Sequence, residues 1–304
     1  MKSAIVTGAT SFIGVHLVNR LLLNGYFVYA VVRPNSNNLM RLSNNSRLKV
    51  IQLDLSEIWK IPLYINDEVD SFYHLAWEGA RAPQRDNCEL QQTNYECAIE
   101  AIKAAIAIGC GVFVGAGSQA EYGKTQGFVT EALKENPTTM YGKAKLKAFK
   151  YATMVAGHSG MRVVWPRIFS IYGAYDFSST LIMSCIDKMR KNESVNLTEC
   201  TQLWDFLYIE DAVSALIALS ETKSAAGVYN VAYGKSMPLK DYVLTMKKIL
   251  RSKSELRFGA IKVSPENLVG FSPSVDKILL DTKWKPSIGF ADGIQNIIKV
   301  MDKE

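Results

Sequence analysis

The 304 residues include 35 Lys and Arg against 29 Asp and Glu, with 48% apolar and 21% charged residues. That length allows one large domain or two of ordinary size, with a core that needs no staples, and the composition excludes a disordered or fibrous chain. The net charge of +6 is spread without a Lys/Arg run long enough for a nucleic-acid patch, so it fits an anionic small ligand better.

In chain order, apolar strand-like runs fall at Ser3–Thr7, Phe27–Val32, Leu48–Leu53, Ser71–Leu75, Gly111–Ala116 and Met161–Pro166. Between them lie segments with apolar residues at i, i+3 and i+4, among them Phe12–Leu23, Leu90–Ile108 and Tyr141–Ser159. Strand and helix in alternation read as βαβ units, and continuous apolar runs suit strands covered on both faces. After Tyr172 the rhythm breaks. Helical patterns at Thr180–Lys191, Ile209–Ser220 and Leu239–Leu250 frame an apolar run at Trp204–Tyr208 and a strand at Val228–Val231. A polar, punctuated stretch, Arg251–Pro286, precedes an amphipathic helix at Phe290–Met301. The expected fold is α/β: a doubly wound parallel sheet in residues 1–172, joined by about 204–232, with a smaller C-terminal α/β cap mainly in 173–304.

Cys88, Cys97, Cys110, Cys185 and Cys200 are odd in number and form no C-x-x-C pair, while His16, His74 and His158 lie far apart. That pattern opposes a disulfide framework, a metal site or a hydrolase triad, and suits a reducing cytoplasm. Neither a signal peptide nor an apolar run of membrane-spanning length is expected, so no membrane contact is either.

At the first strand–helix junction stands Thr7-Gly8-Ala9-Thr10-Ser11-Phe12-Ile13-Gly14. Gly8 suits the tight turn and Gly14 the close helix–sheet packing of a dinucleotide-binding loop, whose helix N-terminus offers N–H groups to a pyrophosphate. Ser11 takes the place of a middle Gly, and its hydroxyl is able to donate to a phosphate. A plain glycine turn would read the same way. The second strand ends Val32-Arg33-Pro34 with no acidic residue, and an Arg there accommodates a 2′-phosphate, so NADP is favoured over NAD. Asp54, after the third strand, suits either the adenine amine or a helix cap.

Tyr141 and Lys145 sit one turn apart on one helix face. A free phenol titrates near 10, and a neighbouring ammonium lowers that value, so the pair suits proton exchange with a carbonyl or alcohol. Ser118, just past the fifth strand in Gly115-Ala116-Gly117-Ser118, falls where open parallel sheets place ligands and is able to bond the same oxygen. Taken singly, each is also compatible with an exposed helix face or a turn cap.

Thr7–Gly14, His74-Leu75-Ala76, Asn94, Ser118 with Tyr122-Gly123, Tyr141 with Lys145, Pro166-Arg167 and Asp205–Asp211 together resemble the extended short-chain dehydrogenase/reductases. These are the NAD(P)-dependent nucleotide-sugar epimerases, dehydratases and reductases. The resemblance runs from Lys2 to about Asp211, and more loosely through Trp284-Lys285-Pro286 to the last helix. It implies that Ser118, Tyr141 and Lys145 are catalytic. It also implies a dinucleotide held by Gly8, Thr10, Ser11, Phe12, Ile13 and Gly14, by Arg33, Asp54 and Leu55, and by Leu75, Ala76, Asn94, Tyr141, Lys145, Pro166 and Ile168. No metal is implied.

Departures narrow the reaction. The 4,6-dehydratases of the family carry an Asp-Glu pair after the catalytic hydroxyl, where this chain has Gln119-Ala120, with Glu121 one residue later. Ala120 also replaces the Cys of the enzymes that epimerise before reducing. Ser170 and Trp204 stand where many members hold the substrate's diphosphate with Asn and Arg, which leaves Lys188, Arg190 and Lys191 as alternative charges. The wording Ser118-Gln119-Ala120-Glu121-Tyr122-Gly123 is most like 4-ketoreductases of deoxysugar biosynthesis. The expected activity is NADPH-dependent reduction of a nucleoside-diphosphate-4-keto-6-deoxyhexose. The alternatives are an NAD-dependent C4 epimerase and a non-catalytic NADP-binding sensor. Relatives also suggest a homodimer through Leu90–Ile108 and the Tyr141 helix. Trp77, Glu78, Met183 and Met189 read as ordinary packing.

Overall fold

A computed structural model describes residues 1–262 and 270–303. Its central layer is a parallel sheet of β1 (Ser3–Thr7), β2 (Phe27–Val32), β3 (Leu48–Gln52), β4 (Ser71–His74), β5 (Val112–Gly115), β6 (Arg162–Ile168) and β7 (Gly227–Val231). The strand order is β7-β6-β5-β4-β1-β2-β3. The chain builds outward from β1 to β3 and then returns to β4 on the other side of β1, so the order reverses between β1 and β4. Ligands of such sheets sit outside the carboxyl ends at that reversal. The register brings Thr7 opposite both Val31 and His74 there. A short extension, Gly117–Ser118, pairs with Arg167 and Ile168 and carries the layer past the end of β5.

Continuous β-branched and aromatic runs are what strands covered on both faces require. On one face α2 (Cys88–Ile108) and α3 (Met140–Ser159) pack on Ile5, Phe72, Phe113 and Trp165. On the other, α1 (Phe12–Leu23) and α5 (Ile209–Glu221) pack on Ala4, Val6, Val114 and Val164. That second core does not stop at the sheet. It runs without a break into Ile182, Cys185 and Met189 of α4 (Leu181–Arg190), Tyr242 and Met246 of α6 (Leu239–Ile249), and Ile294 and Ile297 of α8 (Phe290–Met301). Met189 is core, and Met183 packs against it.

Most boundaries fall within two residues of those read from the sequence, displaced where a cap decides. Asn87 accepts the Leu90 N–H and starts α2 at Cys88, and the Thr139 side chain accepts the Gly142 N–H ahead of α3. Inside the polar stretch Arg251–Pro286 the sequence hid a helix, α7 (Asp276–Thr282), which ends on Lys283 in the left-handed region rather than on a glycine. Part of that stretch, 263–269, lies outside the described residues. Among the described residues no helix is long and apolar enough to cross a membrane.

Candidate functional site

The first turn is built for close main-chain approach. Gly8 has φ +68°, and a Cβ there would fall 2.9 Å from the Ala76 nitrogen. At Gly14 it would fall 2.9 Å from Ala9 Cα. The Ser11 hydroxyl accepts the Gly14 N–H at 3.2 Å and caps α1, while the Thr10 hydroxyl bonds Ser36 at 3.0 Å. Helix geometry leaves the Phe12 and Ile13 N–H groups without intrahelical acceptors, directed at whatever lies before the helix. A cavity of about 820 Å³ opens there, lined by Gly8, Thr10, Ser11, Phe12, Arg33, Asp54, Leu55, Leu75 and Ala76. A glycine cradle, a helix N-terminus and an exposed guanidinium on one cavity fit a dinucleotide.

Two of the expected cofactor contacts, Asn94 and Pro166, are placed away from the cavity, while Asp54 lines it and is also a cap. Asp54 accepts both the N–H and the hydroxyl of Ser56 and starts a short helical turn, and these bonds hold its carboxyl below the usual range. Asn94 is buried on α2 and binds the main chain of Glu78, which fixes the 77–84 loop instead of lining the cavity. Pro166 is buried within β6 opposite Tyr229, whereas Ile168, at the strand's carboxyl end, does reach the cleft. Arg33 is mostly exposed and meets Glu78 at 3.2 Å.

A second cavity, about 710 Å³, adjoins the first and shares Ser11, Phe12, Leu75, Trp77, Asp176 and Phe177 with it. Ser118, Tyr141 and Lys145 all line it. Lys145 is buried, donates to the Ala116 carbonyl at 2.8 Å, and lies 5.7 Å from the Tyr141 ring centre. Burial pushes its amine down to about 7, against the pull of the Glu121 carboxylate. The sequence had Lys145 lowering the Tyr141 pKa; the structure corrects that. Burial holds the phenol above its usual value, and the groups that pull it back are the Ser118 hydroxyl and the Arg85 guanidinium. Arg85 sits 5.3 Å from the Tyr141 ring centre, and its loop carries no periodic pattern that would have singled it out.

Glu121 closes the site from behind. It is fully buried and accepts the Ser118 N–H at 2.8 Å, the Trp165 indole N–H at 3.0 Å and the Arg167 Nε–H at 3.0 Å. Burial pushes its pKa up, opposed first by Arg167. A helical turn at 119–121 swings this carboxylate away from the cleft and into the core, so it cannot reach a ligand there. Asp176 is the one carboxylate among the described residues lining the Ser118 cavity, and it is paired with Arg81 at 3.1 Å.

The outer wall is mostly apolar: Trp204, Phe206 and Leu239 line it with the Ser170 hydroxyl, and Trp204 packs on Phe271 at 5.0 Å between ring centres. The alternative charges on α4 lie elsewhere. Arg190 pairs with Asp302 and Lys191 with Asp187 on the surface, and Lys188 does not line the cavity. Among the described residues, Arg81 is the cation besides Lys145 that does.

CDP-abequose synthase of Salmonella muenchen is 25% identical over 309 residues, covering 99% of this chain and 98% of that protein. UDP-glucuronic acid decarboxylase 1 of Arabidopsis thaliana is 22% identical, covering 97% of this chain and 68% of its own length. Among solved structures, UDP-glucuronic acid 4-epimerase of Bacillus cereus, in complex with UDP-glucuronic acid and NAD, has TM-score 0.85 at 24% identity over 99% of both chains. UDP-N-acetylglucosamine 4-epimerase of Methanobrevibacter ruminantium has TM-score 0.87 at 22% identity, again over 99% of both. At those identities the structures speak for the fold alone. The profile described as the NAD dependent epimerase/dehydratase family matches residues 4–232, so with its sheet order and glycine turn the chain belongs to that family.

Proposed function

We propose that this chain reduces the C4 ketone of a nucleoside-diphosphate-4-keto-6-deoxyhexose, using NADPH. The observation that carries the reading is the proton inventory of the cleft. Tyr141, kept protonated by burial, faces the cavity beside Ser118, while Glu121 is turned into the core. An acid without a partnering base suits ketone reduction, whereas water elimination needs an aimed acid–base pair. The near-full-length similarity to CDP-abequose synthases supports the same reading.

When bound, NADPH supplies the hydride. Tyr141 protonates the developing alkoxide, and Ser118 donates a hydrogen bond to it. Lys145 would hold the cofactor's ribose side of the cleft. Oxyanion donors commonly contribute about 10²–10³ in rate and general acids about 10²–10⁴. Arg33, with Glu78 as its exposed partner, takes the 2′-phosphate. The reading includes residues 173–304 as mainly a substrate cap, and a homodimer through α2 and α3.

NADPH oxidation measured with a panel of dTDP-, CDP-, UDP- and GDP-4-keto-6-deoxyhexoses tests it. Turnover with one of them, and its loss by about 10²-fold or more in Tyr141→Phe with NADPH still bound, is expected. Copurified NAD, and interconversion of C4 epimers without consumption of NADPH, would replace the reductase by an epimerase.

A further inference from the structure

The Trp77 indole, which the sequence left as packing, covers the amine of Lys145, with Nζ 3.6 Å from the ring centre. It also meets the Tyr141 ring edge-on, 6.0 Å between centres and 89° between planes. The indole N–H donates at 2.8 Å to Oε1 of Gln91, a side chain with no exposure at all. The Gln91 amide nitrogen in turn donates to the carbonyls of Gly79 at 2.9 Å and Gln84 at 3.2 Å. The buried amide on α2 therefore sets both the indole and the loop that carries it.

An ammonium has three donors. One of Lys145 goes to Ala116, and the indole face takes a second direction from which water would otherwise approach. A cation on an indole face is held by the ring quadrupole, most strongly where water is excluded. We propose that Trp77 is a positioning residue of the reaction, an indole cover fixed by Gln91 that excludes water from Lys145 and directs its remaining donor into the cleft. This rests on the ketoreductase reading for its effect on turnover, but not for its effect on the amine.

The groups that face Lys145 are few. Tyr141 lies on the same helix, Glu121 on the turn after Ser118, His74 on β4, and Arg85 beyond the Tyr141 ring. Of these, Glu121 favours the charged amine, so its depressed value of about 7 comes from burial, and Trp77 supplies part of that burial. Removing the indole takes away a face that favours the charged amine but also lets water in. Because burial is the larger effect, the amine should move up toward about 10.4.

The test is the pH dependence of acylation of Lys145, read by peptide mass spectrometry on the full chain without substrate, beside the pH profile of kcat/KM for NADPH. In the wild type the labelling midpoint is expected near 7. Trp77→Ala should raise it by more than about one pH unit, and Trp77→Phe, which keeps a ring but no N–H, should restore most of the shift. The basic limb of kcat/KM should move upward with the midpoint in Trp77→Ala, while turnover at pH 6 falls by about tenfold or more. If Trp77→Ala does not fold, Gln91→Leu, which releases the indole, should give a smaller shift of the same sign.

An unmoved midpoint with activity reduced equally at every pH overturns the proposal and leaves Trp77 as packing. If no ketosugar is reduced by the wild type but the midpoint moves, the reaction assignment fails and the role of Trp77 stands.

Discussion

Replacing Gly8 by Ala tests the nucleotide turn with a built-in control. At φ +68° a Cβ costs about 1–2 kcal/mol from its own carbonyl alone. The same Cβ would lie 2.9 Å from Ala76 N, 3.0 Å from Ala76 Cα and 3.1 Å from Leu75 C, all main chain at the end of β4. None of those atoms can rotate away, so β1 and β4 must part by a few tenths of an ångström, at a further cost of about 1–3 kcal/mol. Together the two effects come to about 2–5 kcal/mol. Gly25 has φ +86° with nothing within 4 Å, so Gly25→Ala carries the conformational cost alone. Thermal unfolding should place Gly8→Ala well below Gly25→Ala, at about 2–4 °C per kcal/mol. Because Leu75 and Ala76 line the cavity, a fluorescence titration with NADPH should also weaken by tenfold or more in Gly8→Ala, about 1.4 kcal/mol, and stay unchanged in Gly25→Ala. Equal melting points for the two variants, with equal affinity, would refute the close approach of this turn to β4.

Arg33→Ala should raise KM for NADPH by about tenfold and leave NADH unaffected, since one charge-assisted phosphate contact is lost; equal effects on both cofactors would remove Arg33 from the 2′-phosphate. Glu121→Gln keeps the shape but withdraws the charge facing Arg167 in the core, so it should lower stability by an amount approaching the roughly 3–5 kcal/mol of a broken buried pair, read by urea unfolding. Glu135→Gln, on the partly exposed side of Arg167, should cost much less. His74 is buried with Nδ1 on the Thr7 hydroxyl and Nε2 without a partner among the described residues, and burial pushes its pKa from 6.5 to about 3. The unfolded chain binds the proton first, so stability falls with pH below about 6.5, by about 1–2 kcal/mol between pH 6.5 and 5. His74→Asn should flatten that part of the stability–pH curve, and an unchanged slope would place the acid sensitivity elsewhere.

The parts of this molecule that were readable are those set by near neighbours in the chain. The glycine turn is a strand end, a positive φ and a helix start within eight residues. Tyr141 and Lys145 share a face because of helical period alone. What escaped depends on side chains meeting across the fold. Nothing local says that the indole of Trp77 covers an amine on α3, or that Arg85 reaches the Tyr141 ring. Glu121 is one residue beyond the positions where the resemblance to the dehydratases would put a carboxylate, and the tight turn at 119–121 turns it into the core, which spacing cannot reveal. Asp54 was open between a ligand and a cap; it caps the turn through Ser56 and lines the cavity as well, so the two places coincide. The helix α7 has seven residues, too few for a periodic signal, and exposes Leu279 and Leu280 instead of burying them on one face.

The apolar core that runs from β1 through α5 into α4, α6 and α8 has a mechanical consequence. A lobe sharing its interior with the sheet cannot swing as a rigid lid without exposing that interior. Access to the cleft then falls to its rim, where Arg81 of one loop meets Asp176 of another and stacks on Phe177. Amide hydrogens of α4 should exchange as slowly as those of α1, with fast exchange confined to the rim, and unfolding should proceed in a single transition.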